Sequence, residues 1–288
     1  MPSSENAPIE YLTIGHLTKD LDVNGYTLGG TAAYASLTAH AFGLKAGLVT
    51  SCNPDLNIDS LANINIFRKK SINSTTFENM EQPDGRMQVL HKTAEPINPE
   101  DIPELFYSAP IVHLGPVANE VDPLMIDVFS AETFLGVTPQ GWMRRRGDDG
   151  KITVRTWQPP QIVVDRANAI VISIEDVGSD ETIIQEYAHH FPLLVVTEGY
   201  NGARVYWHGD VRHFSALKVK VLDPTGAGDI FAAVFFIRMQ ATSDPWGAAA
   251  SAVNLASQSV TRKGLLGIPT PEEVQSNLLE IIKGSSPQ

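Results

Sequence analysis

The chain has 288 residues, of which 33 are acidic and 21 are basic, so its formal net charge is −12. This acidity argues against a general nucleic-acid binder, which needs a basic face. The single cysteine, Cys52, excludes an intramolecular disulfide framework, and no CxxC or HExxH pattern points to a zinc site.

The first ten residues, MPSSENAPIE, lack the basic and apolar regions of a secretory signal. No apolar stretch of the sequence approaches the ~20 residues that a transmembrane helix needs. These features predict a cytoplasmic protein without a membrane partner, and the length suits one compact α/β domain.

Short apolar segments alternate with helical patterns along most of the chain. The predicted strands are residues 10–17, 45–51, 109–115, 133–139, 169–175, 192–199 and 218–222. The predicted helices are residues 31–42, 121–132, 180–191, 230–239, 244–260 and 270–284. Strands separated by helices imply βαβ units. The predicted fold class is therefore α/β, with a doubly wound, mostly parallel sheet and helices on both faces.

Residues 20–30 and 64–93 break this alternation, because they contain extended segments and, at 83–85, a turn instead of helical patterns. Together they predict a small β lid on a single domain that spans residues 1–288. Such a lid would cover a site at the carboxyl edge of the main sheet, where ligands bind in open α/β folds. It is also the expected surface of a homodimer. The alternative is a pair of hairpins without a role in binding.

The segment DPTGAGDIF, residues 223–231, places two glycines and an aspartate where a predicted strand meets a predicted helix. Unpaired N–H groups at a helix start bind anions, and glycine lets a ligand approach them closely. The N–H groups of Gly226, Ala227 and Gly228 can then hold the charge on a phosphoryl group, while Asp229 accepts a proton. The alternative interpretation is that Asp229 only stabilises the first helical turn through the helix dipole.

Two other nucleotide-binding motifs do not match the sequence. A GxxxxGK[ST] loop is absent, and Phe231 stands where a Rossmann fingerprint needs a third glycine or alanine. The GAGD turn also follows a late strand instead of the first. These departures argue against an NAD-dependent oxidoreductase.

The segment DPTGAGDIFAAVF resembles the C-terminal signature D-T-x-G-A-G-D of the ribokinase-like, or PfkB, carbohydrate kinases. Three more segments are similar to motifs of this family: IGHLTKD with LGGTAAYAS, VVTEGYNGARVYW, and SVTRKG. They run in order from about residue 10 to about residue 275, nearly the whole chain. The resemblance implies a transferase that moves the γ-phosphoryl group of ATP to an alcohol, with Mg²⁺ as the metal of the nucleotide.

The resemblance also implies a role for each matching residue. The implied catalytic groups are Asp229 as base and Gly226, Ala227 and Gly228 as anion hole, and the implied substrate contacts are Asp20, Gly29 and Gly30. The implied nucleotide contacts are Thr197, Gly199, Gly202 and Asn254, and the implied ligands of a potassium-like ion are Asp223 and Thr225 with carbonyls from residues 262–267.

Two features of the sequence depart from the family pattern. Many members carry N-x-x-E before the nucleotide motif, where the acid organises Mg²⁺ through water, but here SIEDV offers Ser173 and Asp176, with Glu175 beside them. A shorter carboxylate can still act through water, since Mg²⁺ keeps several water ligands, so Asp176 and Glu175 are the candidates. Sugar kinases also often have asparagine where this chain has Tyr34, which disfavours ribose and fructose as acceptors.

Several segments, among them LGGTAAYAS and VTPQGWMRRRGDDGKITV, are similar to the plant-type myo-inositol kinases of this family. Those kinases share a Q-x-x-x-R segment, here Gln140 and Arg144, and also lack the asparagine at the position of Tyr34. The resemblance therefore implies a cyclitol or related polyol as acceptor, with Tyr34, Gln140 and Arg144 as further substrate contacts. A furanose sugar or nucleoside is the second candidate. A non-catalytic nucleotide-binding protein of the same fold is the rival class, which the altered N-x-x-E favours and the intact GAGD opposes.

Overall fold

The computed structural model describes residues 8–82 and 85–284. Its strands, in chain order, are β1 (Tyr11–Ile14), β2 (Thr18–Asp22), β3 (Gly25–Gly29), β4 (Ala46–Cys52), β5 (Asn65–Lys70), β6 (Thr75–Gln82), β7 (Gly85–Lys92), β8 (Ile111–Leu114), β9 (Phe134–Val137), β10 (Arg144–Arg146), β11 (Ile152–Val154), β12 (Ala169–Ser173), β13 (Leu193–Thr197), β14 (Ala203–Trp207) and β15 (Asp210–Phe214). Its α-helices are α1 (Thr31–Ala41), α2 (Gln161–Arg166), α3 (Glu181–His190), α4 (Ala227–Thr242), α5 (Pro245–Ser259) and α6 (Pro271–Gly284).

Nine strands form the main sheet in the spatial order β15-β14-β13-β12-β9-β8-β1-β4-β5. The strands from β13 to β5 pair in parallel, and the β14–β15 hairpin extends one edge with antiparallel pairs. The parallel strands therefore direct their carboxyl ends to one edge of the sheet. The predicted α/β class with a mostly parallel sheet is confirmed.

Helices cover both faces of this sheet, because neighbouring strand residues point to opposite sides. Tyr11 packs into a core with α1, α4 and α5, whereas Leu12 packs into a second core with α2 and α3. Helix α4 is buried from Ile230 to Ile237, as expected for a helix that is apolar on all sides. Within the described ranges, no helix is both long and apolar enough to cross a bilayer.

Four strands form a second, smaller sheet in the order β3-β2-β6-β7. It leaves the main sheet directly after β1, so it rises from the carboxyl edge. Its residues Phe77 and Leu90 are buried against Val117. The β10–β11 hairpin holds its outer edge, where the N–H of Leu90 donates to the carbonyl of Gly150 at 2.8 Å. The turn predicted at residues 83–85 falls partly outside the described residues.

One part of the predicted lid belongs to the main sheet. Residues 65–70, which fall in the predicted lid segment 64–93, form β5 and pair in parallel with β4 at the sheet edge. The second sheet takes only the later strands β6 and β7 from that segment. An alternating strand pattern does not specify its partner, so the sequence could not assign β5 to one sheet or the other.

Two predicted elements are wrong. Residues 218–222 form no strand, because their neighbour in space is the end of α5, where the N–H groups of Leu222 and Asp223 both donate to the carbonyl of Val260. The helix predicted at 121–132 is only a six-residue 3-10 turn at Pro123–Val128. It ends where Phe129 takes an extended backbone and buries its side chain.

Candidate active site

The segments that follow the parallel strands β1, β9 and β12 carry three polar residues towards one region at the carboxyl edge. Asp20 lies on β2, and Gln140 and Asp176 lie in short 3-10 turns. Helix α4 starts at the same place and supplies Asp229. The charges of Asp20, Asp176 and Arg144 all act on the carboxylate of Asp229. Residues that are far apart in the sequence are thus gathered around one carboxylate.

The turn before α4 needs glycine at residue 226. Gly226 is the N-cap of the helix and has a φ of 79°, in the left-handed region that favours glycine. A Cβ atom at this position would also overlap the ring of Tyr34, which is buried behind the turn. We predicted Tyr34 as a substrate contact. The structure places its ring where it supports the Gly226 turn.

The first N–H groups of α4 differ in their hydrogen bonding. The N–H of Ala227 donates to the carbonyl of Pro224 at 3.2 Å. In the described part of the chain, the N–H groups of Gly226 and Gly228 have no acceptor. A Cβ atom at Gly228 would meet nothing within 4 Å, so this side of the turn is open. An open helix start with free N–H groups is suited to bind an anion.

The carboxyl of Asp229 is tuned by its surroundings. Burial raises its pKa to about 6. A hydrogen bond from Thr31 and the charge of Arg144 oppose this increase, whereas the charges of Asp20 and Asp176 add to it. At neutral pH the group is therefore ionised, and it is a stronger base than an ordinary aspartate.

Thr31 is a site residue that the sequence did not reveal. It is the first residue of α1, it is buried, and its Oγ1 donates to Oδ1 of Asp229 at 2.5 Å. The segment TAAYAS reads simply as the start of a helix. The only signal was its place immediately after the predicted substrate contacts Gly29 and Gly30.

The glycine pair allows α1 to begin close to Asp20. On β2, the Oδ1 atom of Asp20 accepts a hydrogen bond from Thr18 Oγ1 at 3.0 Å. A Cβ atom at Gly29 would overlap the Asp20 carboxylate, and Gly30 has a φ of 86° next to the carbonyl of His16. The pair therefore has a structural role that is sufficient to explain it, and a contact with substrate stays a prediction.

Gln140 and Arg144 form a polar wall next to Asp176. The Nε2 group of Gln140 donates to Asp176 Oδ1 over 3.4 Å. Arg144 donates from Nη1 to the carbonyl of Val117 at 3.1 Å, and its guanidinium lies 5.7 Å from the ring centre of Phe77. The guanidinium is thus held between the loop and the lid, where its charge reaches both carboxylates of the site.

Asp176 and Glu175 differ in their placement. Asp176 Oδ2 accepts the N–H of Ser173 at 2.9 Å and so closes a 3-10 turn at Ile174–Val177. Burial raises the pKa of Asp176, whereas Arg144 lowers it in part. Glu175 is exposed. No group of three potential protein ligands for a metal lies within the described residues. Asp176 is the less exposed of the two candidate carboxylates, and its chemistry suits the water ligands of a Mg²⁺ ion.

The predicted nucleotide contacts lie around the end of β13. The hydroxyl of Thr197 donates to the carbonyl of Ile172 at 3.2 Å. Gly199 has a φ of 56°, and Gly202 has a φ of 98°. A Cβ atom at Gly202 would overlap the carbonyl of Phe214, so this glycine is needed for the β14–β15 hairpin.

Asn254 lies on α5, the helix that packs against β14 and β15. Its Oδ1 accepts a hydrogen bond from Gln258 at 2.8 Å. The segment 215–222 runs beside this half of α5, since the N–H of Leu217 donates to the Oγ of Ser257 at 3.0 Å. Leu217, Val221 and Leu222 are all exposed. Exposed apolar side chains therefore lie between the β14–β15 hairpin and the GAGD turn, interspersed with the exposed Lys218 and Lys220.

Asp223 connects the GAGD turn to the segment 262–267. Its Oδ1 accepts the N–H of Thr225 at 2.9 Å, and its Oδ2 accepts the N–H of Gly264 at 2.8 Å. Burial acts to raise the pKa of Asp223, but these hydrogen bonds and the charge of Lys263 hold it below its usual value. Both carboxylate oxygens have protein partners, and the binding of a potassium-like ion by Asp223 and Thr225 stays a prediction.

Comparison with known proteins gives a consistent picture. Residues 172–272 match the model of the pfkB family carbohydrate kinases. The chain is 26% identical to a cytidine kinase of Thermococcus kodakarensis over 79% of this chain and 87% of the relative. It is 31% identical to a fructokinase of Klebsiella pneumoniae over 63% and 65%, and 25% identical to an inositol 3-kinase of Zea mays over 91% and 74%.

The fold is similar to that of a pyrophosphate-dependent kinase in the ribokinase family, solved with a pyrophosphate analogue and myo-inositol. The TM-score is 0.76 at 19% identity, over 92% of this chain and 99% of the other. The GAGD turn at the start of α4, the ribokinase-like sheet and the family match agree with one another. Residues 172–272 therefore match the pfkB carbohydrate kinases in sequence, and the fold of the chain is ribokinase-like.

Proposed function

We propose that this phosphotransferase moves the γ-phosphoryl group of ATP to a hydroxyl of a cyclitol such as myo-inositol, with Asp229 as the base. The observation that carries the proposal is the geometry at the start of α4. There a carboxyl with a pKa of about 6 adjoins the free N–H groups of Gly226 and Gly228. A base and an anion site side by side are what phosphoryl transfer to an alcohol requires.

The reaction assigns one task to each of these groups. Asp229 accepts the proton of the acceptor hydroxyl as its oxygen attacks the γ-phosphorus, and the bond to the β-phosphate oxygen breaks. The free N–H groups of Gly226 and Gly228, at the positive end of the α4 dipole, stabilise the charge on the transferred group. The N–H of Ala227 can join them only by sharing its bond to the carbonyl of Pro224. A bound Mg²⁺ ion would neutralise phosphate charge, and Asp176 would be the carboxylate that orients its water, with the exposed Glu175 as the second candidate.

The proposed nucleotide site lies between Thr197, Gly199 and Gly202 on one side and Asn254 on the other. The exposed apolar surface of Val221 and Leu222 beside α5 supports a nucleoside there, because a base needs an apolar contact that pyrophosphate does not. We therefore propose ATP as donor. We retain Asp223 and Thr225 as the proposed ligands of a potassium-like ion.

The proposed acceptor site lies under the lid and is polar. Asp20, Gln140 and Arg144 offer hydrogen-bond partners to a ring that carries only hydroxyls. The lid residues Phe77 and Leu90 are each 3% exposed, because they pack on Val117, and so they offer no open face for a nucleobase. This favours a cyclitol over a nucleoside. Contacts from Gly29, Gly30 and Tyr34 remain part of the proposal.

We also propose the lid as the surface of a homodimer. Leu21, Val23 and Tyr26, on and between β2 and the edge strand β3, are exposed apolar side chains that a second copy could cover. Sedimentation of the purified protein tests this contact, and a monomer at micromolar concentration would contradict it.

A turnover screen tests the proposed function. Purified protein is supplied with Mg²⁺ and either ATP or pyrophosphate, and with myo-inositol, fructose, ribose or cytidine as acceptor, and products are followed by ³¹P NMR. We expect the fastest turnover with ATP and myo-inositol, and stabilisation of the fold by ATP, because a ligand that binds only the native state must stabilise it. Highest activity with cytidine would overturn the acceptor. ATP binding without turnover of any acceptor would favour the non-catalytic alternative.

A further inference from the structure

The hydroxyl of Thr31 makes one hydrogen bond, and it makes it to the proposed base. Oγ1 of Thr31 donates to Oδ1 of Asp229 at 2.5 Å, across 198 positions of the sequence. Thr31 is 2% exposed, so water does not compete for this contact. The bond joins the start of α1 to the start of α4.

The position of the Thr31 side chain is fixed from its other side. A Cβ atom at Gly115 would overlap the methyl group of Thr31, so the loop after β8 lies directly against that methyl. A β-branched side chain in a helix has few rotamers, and this packing restricts them further. The hydroxyl is therefore presented to Asp229 in one orientation.

We propose that Thr31 is a positioning residue: its hydroxyl holds Oδ1 of Asp229, so that Oδ2 faces the acceptor hydroxyl. This inference rests on the proposed function, in which Asp229 is the base. A carboxylate with one oxygen fixed cannot rotate its reactive oxygen away from the substrate. Orientation of this kind contributes strongly to catalysis, since small displacements of a reacting group lower rates by ~10²-fold.

The charges around Asp229 give the hydroxyl a second effect. Arg144 is the positive group that acts on the carboxyl, and Asp20 and Asp176 are the negative ones. The phenols of Tyr11 and Tyr34 lie within range of the same charge and are neutral at pH 7, because burial raises their pKa values. Because the Thr31 hydroxyl stabilises the ionised carboxylate, its removal should raise the pKa of Asp229.

The test compares Thr31→Val, Thr31→Ser and Thr38→Val. Thr38 is a matched control: it is buried in the same helix, and its hydroxyl donates to the carbonyl of Tyr34 at 2.7 Å, without contact to Asp229. Protein labelled with ¹³C at the aspartate carboxyl groups is titrated by NMR, and Asp229→Asn assigns the signal. Turnover is measured with MgATP and myo-inositol, or with the acceptor of highest turnover in the screen.

We expect Thr31→Val to raise the pKa of Asp229 and to lower kcat by about 10- to 100-fold, with little change in the KM of the acceptor. Thr31→Ser should keep most of the activity, and Thr38→Val should lower the melting temperature while the pKa stays unchanged. Equal pKa and kcat in Thr31→Val and Thr38→Val would overturn the inference. Normal kcat in Asp229→Asn would instead overturn the proposed function, so the two failures are distinguishable.

Discussion

Helices α1 and α4 both begin at a glycine with a positive φ, 86° at Gly30 and 79° at Gly226, and neither start has a side-chain cap. Their surroundings differ. Before α1, the glycine pair is enclosed by Asp20 and the carbonyl of His16, so the absence of side chains lets protein groups approach each other.

At α4, by contrast, Gly228 faces open space and Asp229 occupies the first turn. The two glycine motifs look alike in the sequence. One brings protein groups into contact, and the other leaves open space beside the helix start. We use this contrast to frame the predictions, starting with the largest expected effect.

The largest expected effect on kcat is that of replacing Asp229, the carboxylate at the open start of α4. We expect Asp229→Asn to lower kcat by ~10²–10⁴-fold, because asparagine cannot accept the hydroxyl proton. The affinity for ATP should persist or rise, since a negative charge near the γ-phosphate is removed. The measurement is kcat together with ATP affinity by calorimetry. A near-normal kcat would mean that Asp229 only stabilises the helix.

A methyl group at the turn before α4 should impair catalysis, whereas the same methyl group at a left-handed glycine outside the site should not. We expect Gly226→Ala to lower kcat by ~10²-fold, because the overlap with Tyr34 displaces the N–H groups of the anion site. Gly43→Ala is the matched control, since Gly43 has a φ of 81° with nothing near its Cβ position. That control should lose stability through its backbone conformation and keep its kcat. Equal kcat values in both variants would contradict the role of the turn.

Substitution of Gly29 should weaken binding of the acceptor, whereas substitution of Gly228 should weaken binding of ATP, the donor. We expect Gly29→Ala to raise the KM of the acceptor by roughly 10-fold, because its methyl group displaces the Asp20 carboxylate. Gly228→Ala should raise the KM of ATP, because its methyl group would point into the space left for phosphate. Steady-state kinetics with each substrate varied in turn measures both effects. The same pattern in both variants would remove the distinction between the two helix starts.

Substitutions of Asp176 and Glu175 test which of the two carboxylates serves Mg²⁺ beside the open start of α4. We expect Asp176→Asn to raise the Mg²⁺ concentration for half-maximal activity several-fold, since the variant keeps the size of the side chain but loses its charge. Glu175→Gln should change it little, because Glu175 is exposed. Activity is titrated with Mg²⁺ at fixed ATP. A larger effect from Glu175→Gln would show that the other carboxylate serves the metal.

The smallest expected effect is that of Asp229→Asn on the melting temperature. Burial raises the pKa of Asp229 from 3.8 to about 6 in the folded protein, so the ionised form disfavours the native state at pH values above this range. We therefore expect Asp229→Asn to melt a few degrees higher than the parent at pH 8, about 2–4 °C. The advantage should shrink between pH 6 and pH 4, as the parent carboxyl becomes protonated. Melting curves across this pH range measure it, and a constant difference would contradict the raised pKa.

Much of the fold could be predicted from the sequence, because buried parallel strands such as 46–52 and 193–197 are short apolar runs between helices. The strand predicted at 218–222 was wrong because an alternating pattern indicates an extended chain and does not indicate a partner strand. The segment 65–70 was assigned to the lid instead of the main sheet for a related reason. Its pattern does not reveal which sheet edge is free.

The sequence predicts the candidate site mainly from one dense motif, and the other residues gathered there were harder to identify. Asp229 stood out because a glycine-rich turn precedes it. Thr31 did not, because a buried threonine at a helix start looks like any other, and its partner lies 198 positions away. Tyr34 was predicted to contact the substrate, yet its ring packs behind Gly226. This contact exists only in the folded chain.

The pH dependence of kcat/KM for the acceptor, measured at saturating MgATP, tests the central claim most directly. If Asp229 is the base, activity should fall with a slope of one proton below a midpoint near pH 6, or above it, since bound phosphates add negative charge around the carboxyl. Activity that stays constant down to pH 5 would contradict the assignment, because a carboxyl with this pKa would by then be largely protonated.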